Sequence, residues 1–208
     1  MHRSRLAWLL LGAVVVGAPA LAQNLLVNGS FEVPDYPQGP NVGVPVTGWT
    51  ISPGPGFEVW DNFDGPAADG AQHLELDVST CTTISQTIPT DGSTYYLIRF
   101  AFGARTFVAD NRVEVLWNGQ VVGSAAADGT SQSQIGWTYY AFQVLGGPGS
   151  STLAIRNVDV CDGLGAVLDD VSVTAQENVP MLGAGGLALL TAGFALAALI
   201  VFRRLGAA

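Results

Sequence analysis

Between Asn24 and Val173 the chain is a succession of short runs in which apolar and polar residues alternate, each ended by Gly, Pro, Asn or Asp. Alternation of period two gives a segment one core face and one solvent face, which is the pattern of antiparallel strands. No stretch repeats apolar residues at the spacing of an amphipathic helix, so an antiparallel sandwich is predicted rather than strand-helix-strand units. The predicted strands cover residues 24–27, 57–60, 71–77, 82–88, 95–102, 112–117, 120–123, 137–145, 151–156 and 166–173. Asn118-Gly119 lies between two such runs and predicts a two-residue hairpin, because both turn residues must take positive φ. Asp91-Gly92 marks a second turn ahead of Tyr95. Residues 33–55, rich in Pro and Gly, read as a loop wrapped over the sandwich with Trp49 plugged into the core.

The two ends depart from this pattern. Residues 1–22 open with Arg3 and Arg5, continue with an apolar run over 6–16 and finish with Ala20 and Ala22 in small-x-small spacing. Those are the three parts of a secretory signal peptide, cleaved between Ala22 and Gln23. Residues 182–202 hold 21 uncharged, mostly apolar positions, enough for one transmembrane helix, and Arg203 and Arg204 follow directly. Positive charge on that side predicts a cytoplasmic C-terminus with the preceding domain outside. The segment between the ends, residues 23–176, has room for one domain with its own core and for no second one.

Charge narrows the partners. All 17 acidic residues fall between the terminal arginine pairs Arg3/Arg5 and Arg203/Arg204, against four arginines there, a net charge of −13 in a chain without lysine. Such a surface repels phosphate backbones and excludes nucleic acid; it suits a cation-binding or sugar-facing extracellular domain. Cys81 and Cys161 are the only cysteines. In an oxidising compartment a disulfide between them is one reading, and two free, half-buried thiols are the other.

Two resemblances add to these readings. Val179-Pro180, the apolar run and the terminal Arg203-Arg204 together resemble the PEP-CTERM and related sorting signals of bacterial surface proteins. Met181-Leu182 stands where Glu-Pro or Thr-Leu is commoner. The resemblance implies a sorting signal over residues 177–208, an exosortase-type processing enzyme that removes the helix, and a place at the cell envelope or surface, membrane-anchored at least transiently. Within the domain, four motifs occur in order: Asn24-Leu25-Leu26-Val27-Asn28-Gly29-Ser30-Phe31-Glu32, Gly56-Phe57-Glu58-Val59-Trp60, Asp69-Gly70-Ala71-Gln72-His73-Leu74-Glu75-Leu76-Asp77 and Leu168-Asp169-Asp170-Val171-Ser172-Val173. The ordered set resembles the galactose-binding-like jelly rolls, which include carbohydrate-binding modules and plant cell-wall domains of unknown function. The likeness implies an all-β jelly-roll sandwich of about eight to ten antiparallel strands, with the first and last close together. It also places Trp49 and Trp137 as packing rings.

The same likeness implies a structural calcium tying the start of the domain to its last strand. Glu32 and Asp169 match its carboxylate ligands, and the backbone carbonyls of Ser30 and of the Asp69-Gly70 loop would complete the shell. By alternation Asp169 shares the side of Val171 and Val173, which buries a carboxylate in need of compensation. A hard cation supplies it; backbone N–H groups are the alternative.

Sugar-binding surfaces use flat rings flanked by hydrogen-bonding groups. Trp60, Asp61, Asn62, Arg105 and Trp117 form the predicted ligand face, and one of the adjacent Tyr139 and Tyr140 should be exposed. His73, Glu75 and Asp77 alternate with Leu74 and Leu76, so they share one strand face at roughly 6.5–7 Å per step, near the spacing of glycosidase carboxylates. Side chains two apart on one strand point the same way and do not flank a bond, and solvent faces produce such rows routinely. There is no nucleophile elbow or H-E-x-x-H motif, and His73 is the one histidine left after signal removal. No catalytic residue is assigned, and the chain is not expected to be an enzyme. The expectation is an exported, envelope-sorted, non-catalytic domain that binds polysaccharide or extracellular matrix. A structural or adhesive surface protein without a sugar pocket is the alternative, ahead of an envelope hydrolase.

Overall fold

The computed structural model describes residues 23–54, 56–78 and 80–176. The predicted signal peptide with Ala22, the Val179-Pro180 motif, the apolar run and Arg203-Arg204 lie outside the described residues. Among those described there is no helix. The strands are β1 (Gly39–Val44), β2 (Thr50–Ser52), β3 (Phe57–Asp61), β4 (Gln72–Glu75), β5 (Thr83–Thr90), β6 (Tyr95–Gly103), β7 (Asn111–Trp117), β8 (Gln120–Ala127), β9 (Trp137–Leu145), β10 (Gly149–Asn157) and β11 (Val167–Ala175). Six form a sheet in the order β1-β3-β4-β11-β6-β9 and five form a second, β2-β5-β10-β7-β8. Every pairing is antiparallel, and the two sheets stack as a sandwich of jelly-roll type.

Alternation builds the core. Phe57, Val59, Leu74, Ile98 and Phe100 from the first sheet meet Ile84, Val113, Val115, Leu153 and Ile155 from the second, all buried in one cluster. Burying each such side chain contributes about 1.5–3 kcal/mol. The Asn118-Gly119 turn joins β7 to β8 with φ of 52° and 80°, as the hairpin reading requires. Gln23 to Gln176 contains every described strand and this entire core, so that segment carries its own means of folding.

Nine of the ten predicted strands correspond to β3 through β11. The exception is residues 24–27, which form no ladder. Leu25 N donates to Val173 O at 2.9 Å, and the Asn24 side chain substitutes for the next rungs, with Nδ2 on Val171 O at 3.0 Å and Oδ1 receiving Val173 N at 3.0 Å. The start of the domain is thereby laid against its last strand. The predicted loop over 33–55 instead contains β1 and β2. Both are edge strands, where Pro and Gly are tolerated because one side of the backbone needs no partner. Trp49 between them is buried, its ring 5.5 Å from that of Phe31 and its Nε1 on Asn28 O at 2.9 Å. Cys81 and Cys161 are joined by a disulfide with Cα atoms 4.8 Å apart, which fastens the loop after β4 to the loop after β10.

Candidate functional site

The outer face of the six-stranded sheet is covered over β3, β4 and the start of β11. Leu74 faces the core, so its neighbours His73 and Glu75 point outward beside Glu58 and Trp60 of β3, with which Glu75 and His73 pair in register. The row of His73, Glu75 and Asp77, expected as a solvent face, is instead fully buried. A second small cluster of Trp60, Ile135 and Val167, with Trp137 packed against it, sits on this face. Three loops are sewn over it. Asp64 Oδ2 receives Thr106 Oγ1 at 2.6 Å, Ile135 N donates to Asp64 O at 2.8 Å, and Phe107 N donates to Gly129 O at 2.9 Å. Trp137 therefore packs under these loops rather than in the main core, its Nε1 on Pro66 O at 2.9 Å.

Polar groups trapped beneath the loops are strongly perturbed. His73 lies between the ring edges of Trp60 and Trp137, at centroid distances of 5.6 and 5.4 Å, and neither ring nitrogen has a hydrogen-bond partner. Burial lowers its pKa from 6.5 to about 4. Burial, and then the charge of Glu58 beside it, push the Glu75 carboxyl well above the usual range, against the pull of the Gly165 amide and of Arg105. The Arg105 guanidinium is 3.6 Å from Glu75 Oε1 and lies over the Trp60 ring at 4.8 Å. Trp60 Nε1 donates to Glu58 Oε1 at 2.7 Å.

Above this layer a cavity of about 370 Å3 opens between the loops, lined by Trp60, Phe63, Asp64, Arg105, Thr106, Phe107, Val108 and Leu164. Phe63 meets Trp60 edge-on at 5.1 Å. Phe63 is 41% exposed and Phe107 76% exposed. Phe107 also holds φ at +63°, a conformation unusual for an aromatic residue. A second cavity of about 390 Å3 lies between β1 and β2, bounded by Gly43, Val44, Pro45, Val46, Trp49 and Ile51 among others. No ionisable side chain lines it, so it offers little for fixing a polar ligand.

The predicted ligand residues divide accordingly. Trp60 and Arg105 line the 370 Å3 cavity, Trp60 as a buried floor and not as an open platform. Asp61 and Asn62 end β3 beside it; Asn62 N donates to Ala71 O at 3.0 Å and its side chain to Asp61 Oδ1 at 2.9 Å. Trp117 does not belong to the site. It is on β7 of the other sheet, buried in the main core against Tyr96 at 6.2 Å, with Nε1 on Leu145 O at 2.8 Å. Alternation itself places Trp117 there, because Val113, Val115 and Trp117 share the core face of β7. Phe63 and Phe107 were not singled out, although each is an aromatic residue set among turn formers, between strands. Of the tyrosine pair, Tyr139 is the exposed one and carries Arg99 over its ring at 3.8 Å.

The residues expected to hold calcium gather around one loop. Asp169 Oδ2 receives Ala68 N at 2.7 Å and Asp69 N at 2.9 Å, and its Oδ1 receives Asp170 N at 2.6 Å. Glu32 Oε1 receives Ala71 N at 2.9 Å and Gln72 N at 2.7 Å, and Ser30 Oγ donates to Asp69 Oδ2 at 2.7 Å. The carboxylates thus clasp residues 68–72 through backbone amides. Among the described residues no three His, Cys, Asp or Glu side chains converge as metal ligands. Asp169 is buried, but not on the side inferred from Val171 and Val173. Leu168 faces the core and Val167 the covered face, so Asp169 points outward with Val167. A bulge at Asp170, with φ of +46°, then reverses the parity and returns Val171 to the core. Burial pushes Asp169 up to about 8 against the pull of its amides.

No family model matches the chain. A multifunctional-autoprocessing repeats-in-toxin of Vibrio vulnificus is 30% identical over 162 residues, which is 76% of this chain and 3% of the toxin. The corresponding toxin of Vibrio cholerae is 28% identical over 161 residues. The chain spans about 3% of the length of these curated relatives. Among solved structures, the carbohydrate-binding module TmCBM61, in complex with beta-1,4-galactotriose, superposes with a TM-score of 0.50 at 17% identity, over 74% of this chain and 100% of that one. The K1 cleaved adhesin domain of Lys-gingipain from Porphyromonas gingivalis W83 gives 0.51 at 12% identity, over 64% and 94%. These likenesses show the fold.

Proposed function

We propose that this chain is an exported, envelope-sorted, non-catalytic domain that binds polysaccharide at the loop cavity framed by Phe63, Arg105 and Phe107. The supporting observation is the exposed pair of rings over a floor that holds a guanidinium and the Asp64 carboxylate. Sugar C–H faces pack on rings while hydroxyls bond to planar charged groups. Export rests on the sequence of the two ends, and the C-terminal segment would join the membrane until an exosortase-type enzyme removed it. A structural calcium at Glu32 and Asp169, with Ser30 and Asp69, is part of the proposal. There the cation would act beside the amides already on those oxygens, as a staple and not as a catalyst.

Residues 23–176 screened on a glycan array and titrated calorimetrically with β-linked galactan oligosaccharides and envelope polysaccharides test the reading. Binding that disappears in Phe107→Ala at unchanged melting temperature is expected. A blank array with flat titrations would favour the structural or adhesive alternative. Binding untouched by Phe107→Ala would move the site elsewhere. A melting temperature indifferent to chelator would remove calcium from the proposal.

A further inference from the structure

Behind Glu75, the two loops fastened by the Cys81–Cys161 disulfide carry a pair of carboxylates, Asp77 and Asp159, whose charges act on one another. Asn157 N donates to Thr82 O at 2.9 Å and Gly163 N to Asp77 Oδ2 at 2.9 Å, so the loops are held together on both sides of the bridge. Asp77 is 0% exposed and Asp159 9%. Each has one satisfied oxygen, Asp77 Oδ2 on the Gly163 amide and Asp159 Oδ1 on Asn157 Nδ2 at 2.7 Å. The other two, Asp77 Oδ1 and Asp159 Oδ2, have no hydrogen-bond partner and are the only buried carboxylate oxygens in that condition among the described residues.

No arginine side chain bonds to either oxygen, although the Arg112 charge acts on Asp159. Arg112 is committed to Asp110 at 2.7 Å, and Arg105 to Glu75 and to Gly163 O at 3.3 Å. A buried carboxylate oxygen left without a partner is unfavourable, and here two occur in loops that a covalent bridge holds together. The free donors are oxygens alone, since both cysteines are in the disulfide. Two negative charges and an oxygen-only donor set match a hard divalent cation, whose remaining sites main-chain carbonyls and water can fill.

We propose that Asp77 and Asp159 hold a calcium-type divalent cation between the disulfide-linked loops, at a site separate from the Glu32 and Asp169 clasp. It stands independently of the glycan reading, because none of its residues lines the cavity. The bridge would preorganise the site, so that calcium binds more tightly to the oxidised protein.

Calorimetric titration of calcium chloride into residues 23–176, stripped with chelator and kept oxidised, tests this. Asp159→Asn and Asp77→Asn should each lose one binding event per chain that Glu32→Gln retains. In chelator Asp159→Asn should melt no lower than the wild type, because an amide replaces an uncompensated carboxylate. Calcium should then raise the melting temperature of the wild type by more than that of the variant, in which only the Glu32 clasp is left to bind it. Reducing the disulfide should weaken binding by about tenfold or more. The proposal is overturned if the wild type takes up no calcium, if Asp159→Asn binds as many ions as the wild type, or if that variant melts lower in chelator. Loss in Glu32→Gln with retention in Asp159→Asn would place the ion at the N-terminal clasp instead.

Discussion

Replacing His73 by Leu should make the domain resistant to mild acid. His73 is buried between Trp60 and Trp137 without a partner for either nitrogen, and burial holds its pKa near 4 instead of 6.5. The unfolded chain binds a proton near 6.5 and the folded chain only near 4. Stability is therefore lost as the pH falls from about 6.5 to about 4, and this contribution changes no further below that. At 1.36 kcal/mol per pKa unit the loss amounts to about 3 kcal/mol. At pH 7.5 the Leu variant should lie within about 1 kcal/mol of the wild type, since removing two unpartnered nitrogens offsets the lost ring contacts. By pH 4 the difference should have swung about 3 kcal/mol in favour of the variant. The charged groups of this covered face, Glu58 on β3, Glu75 on its own strand, Asp169 on β11 and Arg105 from the covering loop, are the same in both proteins, so their contributions cancel in the difference to first order. Urea unfolding followed by tryptophan fluorescence at several pH values measures it. Two stability curves that stay parallel from pH 7.5 to 4 would refute the assignment of a buried neutral imidazole.

Other outcomes follow from individual contacts. The disulfide closes a loop with a sequence separation of 80, so replacing both cysteines by serine should cost about 4 kcal/mol in denaturant titration; a cost below about 1 kcal/mol would mean that the loops stay together unaided. A Cβ on Gly29 would collide with the Val171 carbonyl oxygen, and Gly29→Ala should lose about 3 kcal/mol or more as the N-terminal segment lifts from β11; an unchanged melting temperature would refute the close approach. Trp117→Phe leaves Leu145 O without its donor and should lower stability by about 1–3 kcal/mol while glycan titrations stay unchanged; loss of binding without loss of stability would return Trp117 to the ligand face.

The sequence made legible whatever depended on near neighbours. The β7–β8 hairpin follows from Asn118-Gly119 because a two-residue turn fixes its own register. β1 and β2 escaped because an edge strand needs only one partner, so its composition can resemble that of a loop. Asp169 was expected to be buried for the wrong reason. Parity along β11 holds only until the bulge at Asp170, and a single residue at φ +46° exchanges the faces. Burial of His73, Glu75 and Asp77 was invisible for a similar reason, since alternation assigns faces but not what lies over them. Asp77 and Asp159 are far apart in the chain, and their charges act on each other where the disulfide joins their loops.

That cover also bears on how a ligand could approach. On an open sheet, rings standing along the strands could receive a long stretch of polysaccharide. Here Trp60, Val167 and Trp137 occupy the middle of the outer face, and loops 61–66, 104–108 and 128–135 are hydrogen-bonded across them. On the proposed reading, recognition would fall at the loop mouth, where the cavity of about 370 Å3 lies at the lower end of small-molecule sites. A pocket of that size admits a chain end or a short side branch, not the body of a polymer. In glycan screening, short oligosaccharides should accordingly bind as tightly as the long chains that contain them. Affinity that rises steadily with chain length would contradict a pocket-type site and point to an extended surface such as the exposed Tyr139 and Arg99.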